Sequence, residues 1–458
     1  MKFVNRETEL AELKDIENLS RKKLFVIAIY GLRRVGKTRL LLEFLGGRGL
    51  YFFVNKNKTS EDLLREYQEI LKTNKILGQL ESLDSWDQFV EILISRNPSI
   101  VVFDEFQNFS FVAPALPGIL QKNIDLNENK PGLIILTGSL IGMMKKTFQD
   151  AGEPLYGRVK KGTRLAPLTL SSCLKLCTEL KLNKADLVQL YGVFGGYPKY
   201  YVAIEDFALG GKSAEEIIDS LLLAKDAPFE DEIVGILSQE FGSRSGLYYS
   251  ILDAIGNGNN SISDIAGYLN MPMTSLTRQI KELKDYFEII DFETPFSGKK
   301  GAYRISHPLM EFWFTHIYRR YSDFASRNPV FMDNLRKNLP AIFGKAFERT
   351  AMAFIISELK LSVAKRQWGK IMGAEKGKDS YEIDLIGTTD RNTYVFEFKW
   401  KELDEREATS ILKELQKKAE FVDGLKSDLI FGLVAKKVRG KEKLKAAGYL
   451  AYDLEDFK

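Results

Sequence analysis

Eight consecutive residues constrain this chain more than any other stretch: Gly31-Leu32-Arg33-Arg34-Val35-Gly36-Lys37-Thr38. They satisfy the spacing G-x-x-x-x-G-K-[ST] at every position, and the pattern stands where it has physical meaning. Ahead of it, Leu24-Phe25-Val26-Ile27-Ala28-Ile29 is a short apolar run with the β-branched content of a buried strand. Behind it, Thr38-Arg39-Leu40-Leu41-Leu42-Glu43-Phe44 opens a helix. Glycines let main-chain N–H groups approach an anion with no side chain between, and the helix N-terminus that follows favours negative charge. The stretch from Gly31 through Arg33, Arg34, Val35 and Gly36 to Lys37, Thr38 and Arg39 is therefore expected to wrap the polyphosphate of ATP. Lys37 would reach the β- and γ-phosphates, and the Thr38 hydroxyl would ligate Mg²⁺. A chance match in a Gly/Lys-rich turn would lack the strand and the helix on either side.

A second element fits the first. Ser99-Ile100-Val101-Val102-Phe103-Asp104-Glu105 is an apolar strand ending in two acids. On a neighbouring parallel strand, Asp104 would hold Mg²⁺ together with Thr38, and Glu105 would polarise a water for attack on the γ-phosphate. The only two histidines, His307 and His316, lie far away in sequence, so a carboxylate is the natural base. A strand over 133–136 runs into Thr137-Gly138-Ser139, where Ser139 either senses the γ-phosphate or simply forms a turn.

At 458 residues the chain should hold about three domains of roughly 150 residues each. A formal charge of +4 is too small to argue for nucleic acid unless the basic surface is local. Cys173 and Cys177, with no further cysteine and no nearby histidine, cannot complete a zinc site and point to a reducing cytosol. The stretch from Met1 to Glu7 carries no secretory apolar core, and no apolar run nears the ~20 residues that span a bilayer. A cytoplasmic protein without a membrane partner is expected.

Residues 1–165 alternate strand and helix patterns, as a doubly wound parallel α/β sheet does, with strands expected at 24–30, 50–54, 100–103 and 133–136. Asn5 would cap a first helix carrying Leu10, Leu13 and Ile16 on one face. Residues 166–242 read as a helical lid broken by the turn Gly195-Gly196-Tyr197-Pro198. Just before it, Leu155-Tyr156-Gly157-Arg158 offers Arg158 as an arginine finger or charge sensor, or as one of a basic surface run with Lys160, Lys161 and Arg164. Acting on a neighbouring copy, Arg158 would require a homo-oligomer; acting within its own chain it would not.

Residues 243–308 read as a winged helix-turn-helix, with helices over 247–255 and 263–269, Ser263 as the second helix's cap, a recognition helix over 274–285 and a wing tip at 297–301. Arg278, Lys281, Lys284, Lys299 and Lys300 are its available contacts to DNA phosphates. Against DNA, Glu282 and Asp285 dilute the charge, and such modules also pack inside their own protein.

Connecting helices over 309–335 lead to a last α/β unit at 336–458, with two strands joined by the loop Thr388-Thr389-Asp390-Arg391-Asn392. On the second strand Glu397 and Lys399 share a face, and pairing across the hairpin brings Asp384 beside Glu397. Two carboxylates and a lysine converging in this way can bind Mg²⁺ or Mn²⁺ and orient a water for phosphodiester hydrolysis. Glu348 on a helix over 345–357 would add an outer carboxylate, and Gln416 and Lys417 on a helix over 408–421 would lie nearby. Equally, the pattern fits a strand whose polar residues merely face water.

Taken with Asn5-Arg6-Glu7-Thr8-Glu9-Leu10, Phe103-Asp104-Glu105-Phe106-Gln107 and Glu397-Phe398-Lys399-Trp400, these motifs resemble the archaeal ATPase family, a branch of the STAND and AAA-like P-loop NTPases. The resemblance implies a nucleotide-binding core, a winged helix and a C-terminal restriction-endonuclease-like PD-(D/E)xK domain. It also implies that the acid after the Asp of the second motif, here Glu105, is catalytic. The chain has His307-Pro308 where the family usually has Asp-Pro, and Gln367-Trp368 where a double Trp is usual. Two functions follow as expectations. One is an ATP-hydrolysing protein acting on DNA, with a metal-dependent nuclease-like domain. The other is an ATP-gated regulatory or scaffold protein that binds DNA or protein partners without cleavage.

Overall fold

The computed structural model describes residues 5–96, 99–242, 245–371, 380–425 and 428–457, so the first four residues of the N-terminal reading lie outside it. Five parallel strands build the first sheet: β1 (Leu24–Tyr30), β2 (Leu50–Phe53), β3 (Ile100–Asp104), β4 (Gly132–Gly138) and β5 (Lys161–Arg164). Their order is β2-β3-β4-β1-β5. Alternating side-chain direction sorts β1 between two cores. Val26, Ala28 and Tyr30 pack with Phe52, Phe103 and Leu136, while Ile27 and Ile29 pack with Leu13, Ile16, Leu40, Leu41 and Phe44. Helices therefore cover both faces, and the carboxyl ends of the strands share one edge, where ligands of such sheets bind.

Four of these strands stand where the apolar runs place them. β5 does not announce itself, because Lys161-Gly162-Thr163-Arg164 has no apolar pattern; main-chain pairing to residues 27–30 of β1 makes it an edge strand. The first helix, Glu7–Ser20, is not capped by Asn5: Arg6 holds the N-cap position, and the Asn5 amide donates to Ser172 Oγ instead.

Helices Leu170–Leu174, Lys184–Phe194, Pro198–Asp206, Ala214–Ile218 and Glu232–Phe241 form the lid. The turn between the second and third needs glycine at Gly196, where a Cβ would overlap the Leu168 carbonyl oxygen at 1.8 Å. This turn brings Pro198 against Gly36 of the glycine-rich loop. His307 stacks on Tyr197 of the same turn at 4.1 Å. Its Nδ1 accepts from the Met310 N–H (3.4 Å) at the start of helix Pro308–His316, the capping role that an Asp would fill.

The winged helix has helices Ser245–Gly256 and Ile262–Leu269 and an antiparallel hairpin of β6 (Ile290–Glu293) and β7 (Ala302–Ile305). Ser261, not Ser263, caps the second helix by accepting the Asp264 N–H. The expected recognition helix is interrupted: Thr277–Lys281 is helical, and Glu282–Tyr286 continues as a wider turn. The module is held from two sides. Glu288 pairs with Lys145 and with Arg164 (2.5 Å), while Phe296 N–H donates to the Arg366 carbonyl (3.0 Å) and Ser297 N–H to Gln367 Oε1 (2.8 Å).

One helix, Pro329–Leu359, runs straight through the boundary expected at 335/336. It packs Phe347 and Phe354 on Phe396 and Phe398 of the second large sheet. That sheet comprises β8 (Val363–Lys370), β9 (Ser380–Thr388), β10 (Thr393–Leu403), β11 (Leu429–Val438) and β12 (Leu450–Tyr452), in the order β12-β11-β10-β9-β8. It is antiparallel from β8 to β10 and parallel from β10 to β12. Helix Glu405–Ala419 covers the other face through Leu412 and Leu415. Among the described residues no helix is long and apolar enough to cross a membrane.

Candidate functional site

The first site forms where β1 turns into helix Lys37–Leu45. Gly36 has φ 95°, a backbone that side chains resist, and a Cβ on Gly31 would lie 2.6 Å from the Leu165 carbonyl oxygen. Arg6 props the loop from beneath, its Nη2 donating to the carbonyls of Val35 (3.1 Å) and Ala166 (2.8 Å). Lys37 Nζ donates to the carbonyls of Gly31 (2.7 Å) and Leu32 (3.2 Å). Burial lowers the Lys37 pKa to about 8 against the opposing pull of Glu105, Asp104 and Glu240.

Thr38 Oγ1 donates to Asp104 Oδ2 at 2.6 Å, and Tyr51 on β2 donates its hydroxyl to the same oxygen at 2.6 Å. The Glu105 N–H donates to the other oxygen, Asp104 Oδ1, at 2.9 Å. A hydroxyl and a carboxylate in contact are the hard oxygen donors that suit Mg²⁺, so Thr38 and Asp104 fit the ion the sequence assigns them. Glu105 follows β3 in a left-handed conformation (φ 56°, ψ 42°), strained for a residue with a side chain. Its Oε2 accepts from Ser139 Oγ (2.7 Å) and from the Gln107 amide. Ser139 thus meets the candidate base directly.

The arginines divide. Arg34 Nε donates to Glu232 of the lid at 2.9 Å, and a cavity of about 420 Å³ opens beside Arg33 and Arg34. Arg39 points away, exposed and paired with Glu43 on its own helix. Arg158 is not brought to the site at all. Its guanidinium is bound to Asp125 at 2.9 Å, and the Lys160 N–H two residues on donates to the Val26 carbonyl near the start of β1. The glycine-rich loop leaves the other end of that strand, so an arginine finger within the same chain is overturned; the finger reading stays open only for a second copy.

The second site lies on β9 and β10. Their register ends at the pair Leu385 and Phe396, and just beyond it Asp384 lies within reach of the Glu397 charge. Asp384 Oδ2 accepts the Phe398 N–H at 2.7 Å. Burial first, then the charge of Glu397, holds the Asp384 carboxyl well above the usual carboxylate range. Lys399 Nζ donates to Glu397 Oε1 at 2.8 Å, as the shared strand face requires. Lys418 rather than Lys417 reaches Glu397 from helix Glu405–Ala419 (3.2 Å), and Gln416 instead accepts from Tyr449. Glu348 is tied to Arg366 at 2.8 Å. Among the described residues no group of three His, Cys, Asp or Glu could hold one metal ion, so Glu348 does not complete a three-carboxylate cluster. Asp384 and Glu397 remain as a pair of hard oxygen donors.

Tyr51, Glu240 and Lys418 escaped the sequence reading, and Arg6 and Gln107 entered it only inside motifs, with no role assigned. Gln107 had a signal, lying two residues after Glu105 and so within reach of it; Tyr51 and Glu240 arrive from separate elements with no local pattern to mark them.

Residues 3–204 match the family model described as an ATPase domain predominantly from Archaea, and residues 313–411 match one described as Archaea bacterial proteins of unknown function. An uncharacterized protein of Methanocaldococcus jannaschii is 28% identical over 465 residues, covering 99% of this chain and 100% of that protein. Among solved structures, the Walker-type ATPase paby2304 of Pyrococcus abyssi is similar at a TM-score of 0.51 and 23% identity, over 68% of this chain and 96% of that one. The Aeropyrum pernix ORC2 protein stands at a TM-score of 0.48 and 15% identity, over 74% of this chain and 96% of that one.

Proposed function

We propose, from the premise that residues 3–204 are an archaeal-type ATPase domain, that this chain hydrolyses ATP at the Gly31–Thr38 loop and uses the cycle to act on DNA. The observation that carries the ATPase part is the bond from Thr38 to Asp104 at 2.6 Å, with Glu105 next in sequence. Loop N–H groups and Lys37 bind the β- and γ-phosphates. Glu105 takes a proton from a water at Oε1, the oxygen opposite the one held by Ser139 and Gln107. The water oxygen bonds to the γ-phosphorus, the bond to the bridging oxygen breaks, and ADP and phosphate leave. Mg²⁺ on Thr38 and Asp104 would supply charge neutralisation to the phosphates.

For the DNA part, Asp384 and Glu397 would hold a divalent cation that polarises a phosphodiester, and Lys399 would stabilise the charge gathering on the attacked phosphate. The exposed wing-tip lysines Lys299 and Lys300 support contact with a DNA backbone. A second reading, a regulatory or scaffold protein that does not cut, is favoured by the wing's bonds to Arg366 and Gln367 and by the two lysines that already neutralise Glu397.

Steady-state phosphate release tests the first part: wild type turns over ATP, and Lys37→Ala loses both binding and turnover. Equal turnover by the variant would remove this loop from the mechanism. Incubation with Mg²⁺ or Mn²⁺ and single-stranded, duplex or branched DNA tests the second. Cleavage no faster than by Lys399→Ala or Asp384→Ala sinks the nuclease reading, and salt-dependent binding without cleavage selects the scaffold.

A further inference from the structure

The lid helix that grips Arg34 also carries a buried acid whose charge is felt at the glycine-rich loop. Glu232 and Glu240 lie two turns apart on helix Glu232–Phe241 and therefore on one face. Glu232 grips Arg34 at the mouth of the loop at 2.9 Å. Glu240 lies within reach of the charges of Lys37 and Arg33, which draw it toward ionisation, while Glu105 opposes this. Its Oε1 is buried and takes no hydrogen bond from any described residue, and the Arg33 Nε is buried without one as well. Tyr286 of the winged helix also feels the charge of Glu240. Ile233, Ile236 and Leu237, all buried, anchor the helix that delivers it.

We propose that Glu240 is an autoinhibitory acid: it holds the electrostatic place of the nucleotide's terminal phosphate, and ATP settles fully only when the lid helix draws Glu240 off the loop. The inference rests on the phosphate-binding reading of the loop. An incoming polyphosphate carries negative charge to the same Lys37 and Arg33 whose charges reach Glu240. In a water-poor space two anions on the same cations repel far more than they would in bulk water. Because Glu232 and Glu240 ride one helix, lifting Glu240 also strains the Arg34–Glu232 pair, which ties nucleotide entry to lid position. Burial raises the Glu240 carboxyl to about 8, and a neutral acid would conflict less with phosphate. The comparison is therefore made near pH 8, where the Glu240 carboxyl is partly ionised and Lys37, whose pKa burial lowers to about 8, still carries charge.

The experiment is a calorimetric titration of the full chain with Mg·ATP and with Mg·ADP, for wild type, Glu240→Gln and Glu240→Ala, with melting temperatures measured alongside. Both variants should bind nucleotide about tenfold more tightly than wild type, within the range of ordinary couplings between sites. Binding by the variants where wild type shows none supports the inference in its strongest form. Unchanged or weaker binding by folded variants overturns it and assigns Glu240 a purely structural place. Absence of binding by all three chains overturns the phosphate-loop reading, and the gate falls with it.

Discussion

At the Gly31–Thr38 loop main chain holds Lys37, through the carbonyls of Gly31 and Leu32, and Arg6 steadies the loop through the carbonyls of Val35 and Ala166, while Asp104 takes the Glu105 N–H beside the hydroxyls of Thr38 and Tyr51. On β9 and β10 the charges mostly hold one another, with Lys399 and Lys418 on Glu397 and Arg366 on Glu348. The first arrangement depends on backbone shape, which requires glycine at Gly36 and close approach at Gly31. The second depends on side chains meeting from two strands and two helices. A site of the first kind is expected to lose function sharply when one group changes, because nothing else can take its place. A site of the second kind shares its charge among several residues and stores an electrostatic cost that a neutral substitution releases.

The sharpest test of that contrast is Glu105→Gln. Gln keeps the length and can still meet Ser139, yet it cannot accept the water's proton. ATP binding should persist while hydrolysis falls at least ~10²-fold, the scale of losing a general base. Single-turnover measurement separates the two, and ordinary turnover would exclude Glu105 as base.

Next in size is Asp384→Asn. The carboxyl's pKa is raised in the folded chain, so its favourable contribution is complete below the unfolded value of about 3.9 and is lost as pH rises through the folded value. At neutral pH the wild type therefore carries an ionisation cost that Asn, which still accepts the Phe398 N–H, does not. Denaturant unfolding should find the variant more stable by about 1 kcal/mol near neutral pH. That gain should shrink as the pH is lowered toward 4. A variant destabilised at every pH would mean that the carboxyl pays its way structurally, and the contrast between the two regions would fail.

The same contrast explains what the sequence disclosed. The shape of the glycine-rich loop was legible down to the residue because it lies in contiguous backbone, flanked by an apolar strand and a helix. Asp104 and Glu105 were legible because they end a strand. The nearness of Asp384 and Glu397 followed from alternation on a hairpin, which is also local. Lys418 was missed by one residue, since helix phase over a half-covered face cannot be read that finely. Arg158 failed for a different reason: a glycine-arginine pair says nothing about which end of the sheet it joins, and β5, the strand that fixes this, has no apolar signature. Tyr51 and Glu240 reach the site from β2 and the lid, and only tertiary packing joins them to it.

Tyr51 offers the mildest and most local probe. Its hydroxyl and that of Thr38 converge on Asp104 Oδ2, each at 2.6 Å. Burial and the Asp104 charge raise its pKa, so the proton stays on Tyr51 and is donated to the carboxylate. Tyr51→Phe keeps the ring among its neighbours and removes only this donor. The lost hydrogen bond is worth about 1 kcal/mol, which would free Asp104 to turn rather than unfold the domain. Such a loss should raise the Mg²⁺ concentration needed for half-maximal ATP hydrolysis about fivefold, with the rate at saturating Mg²⁺ nearly unchanged. A drop in the saturated rate with no change in Mg²⁺ requirement would instead place Tyr51 in the chemistry. The orientation of Asp104 would then rest on Thr38 and the Glu105 N–H alone.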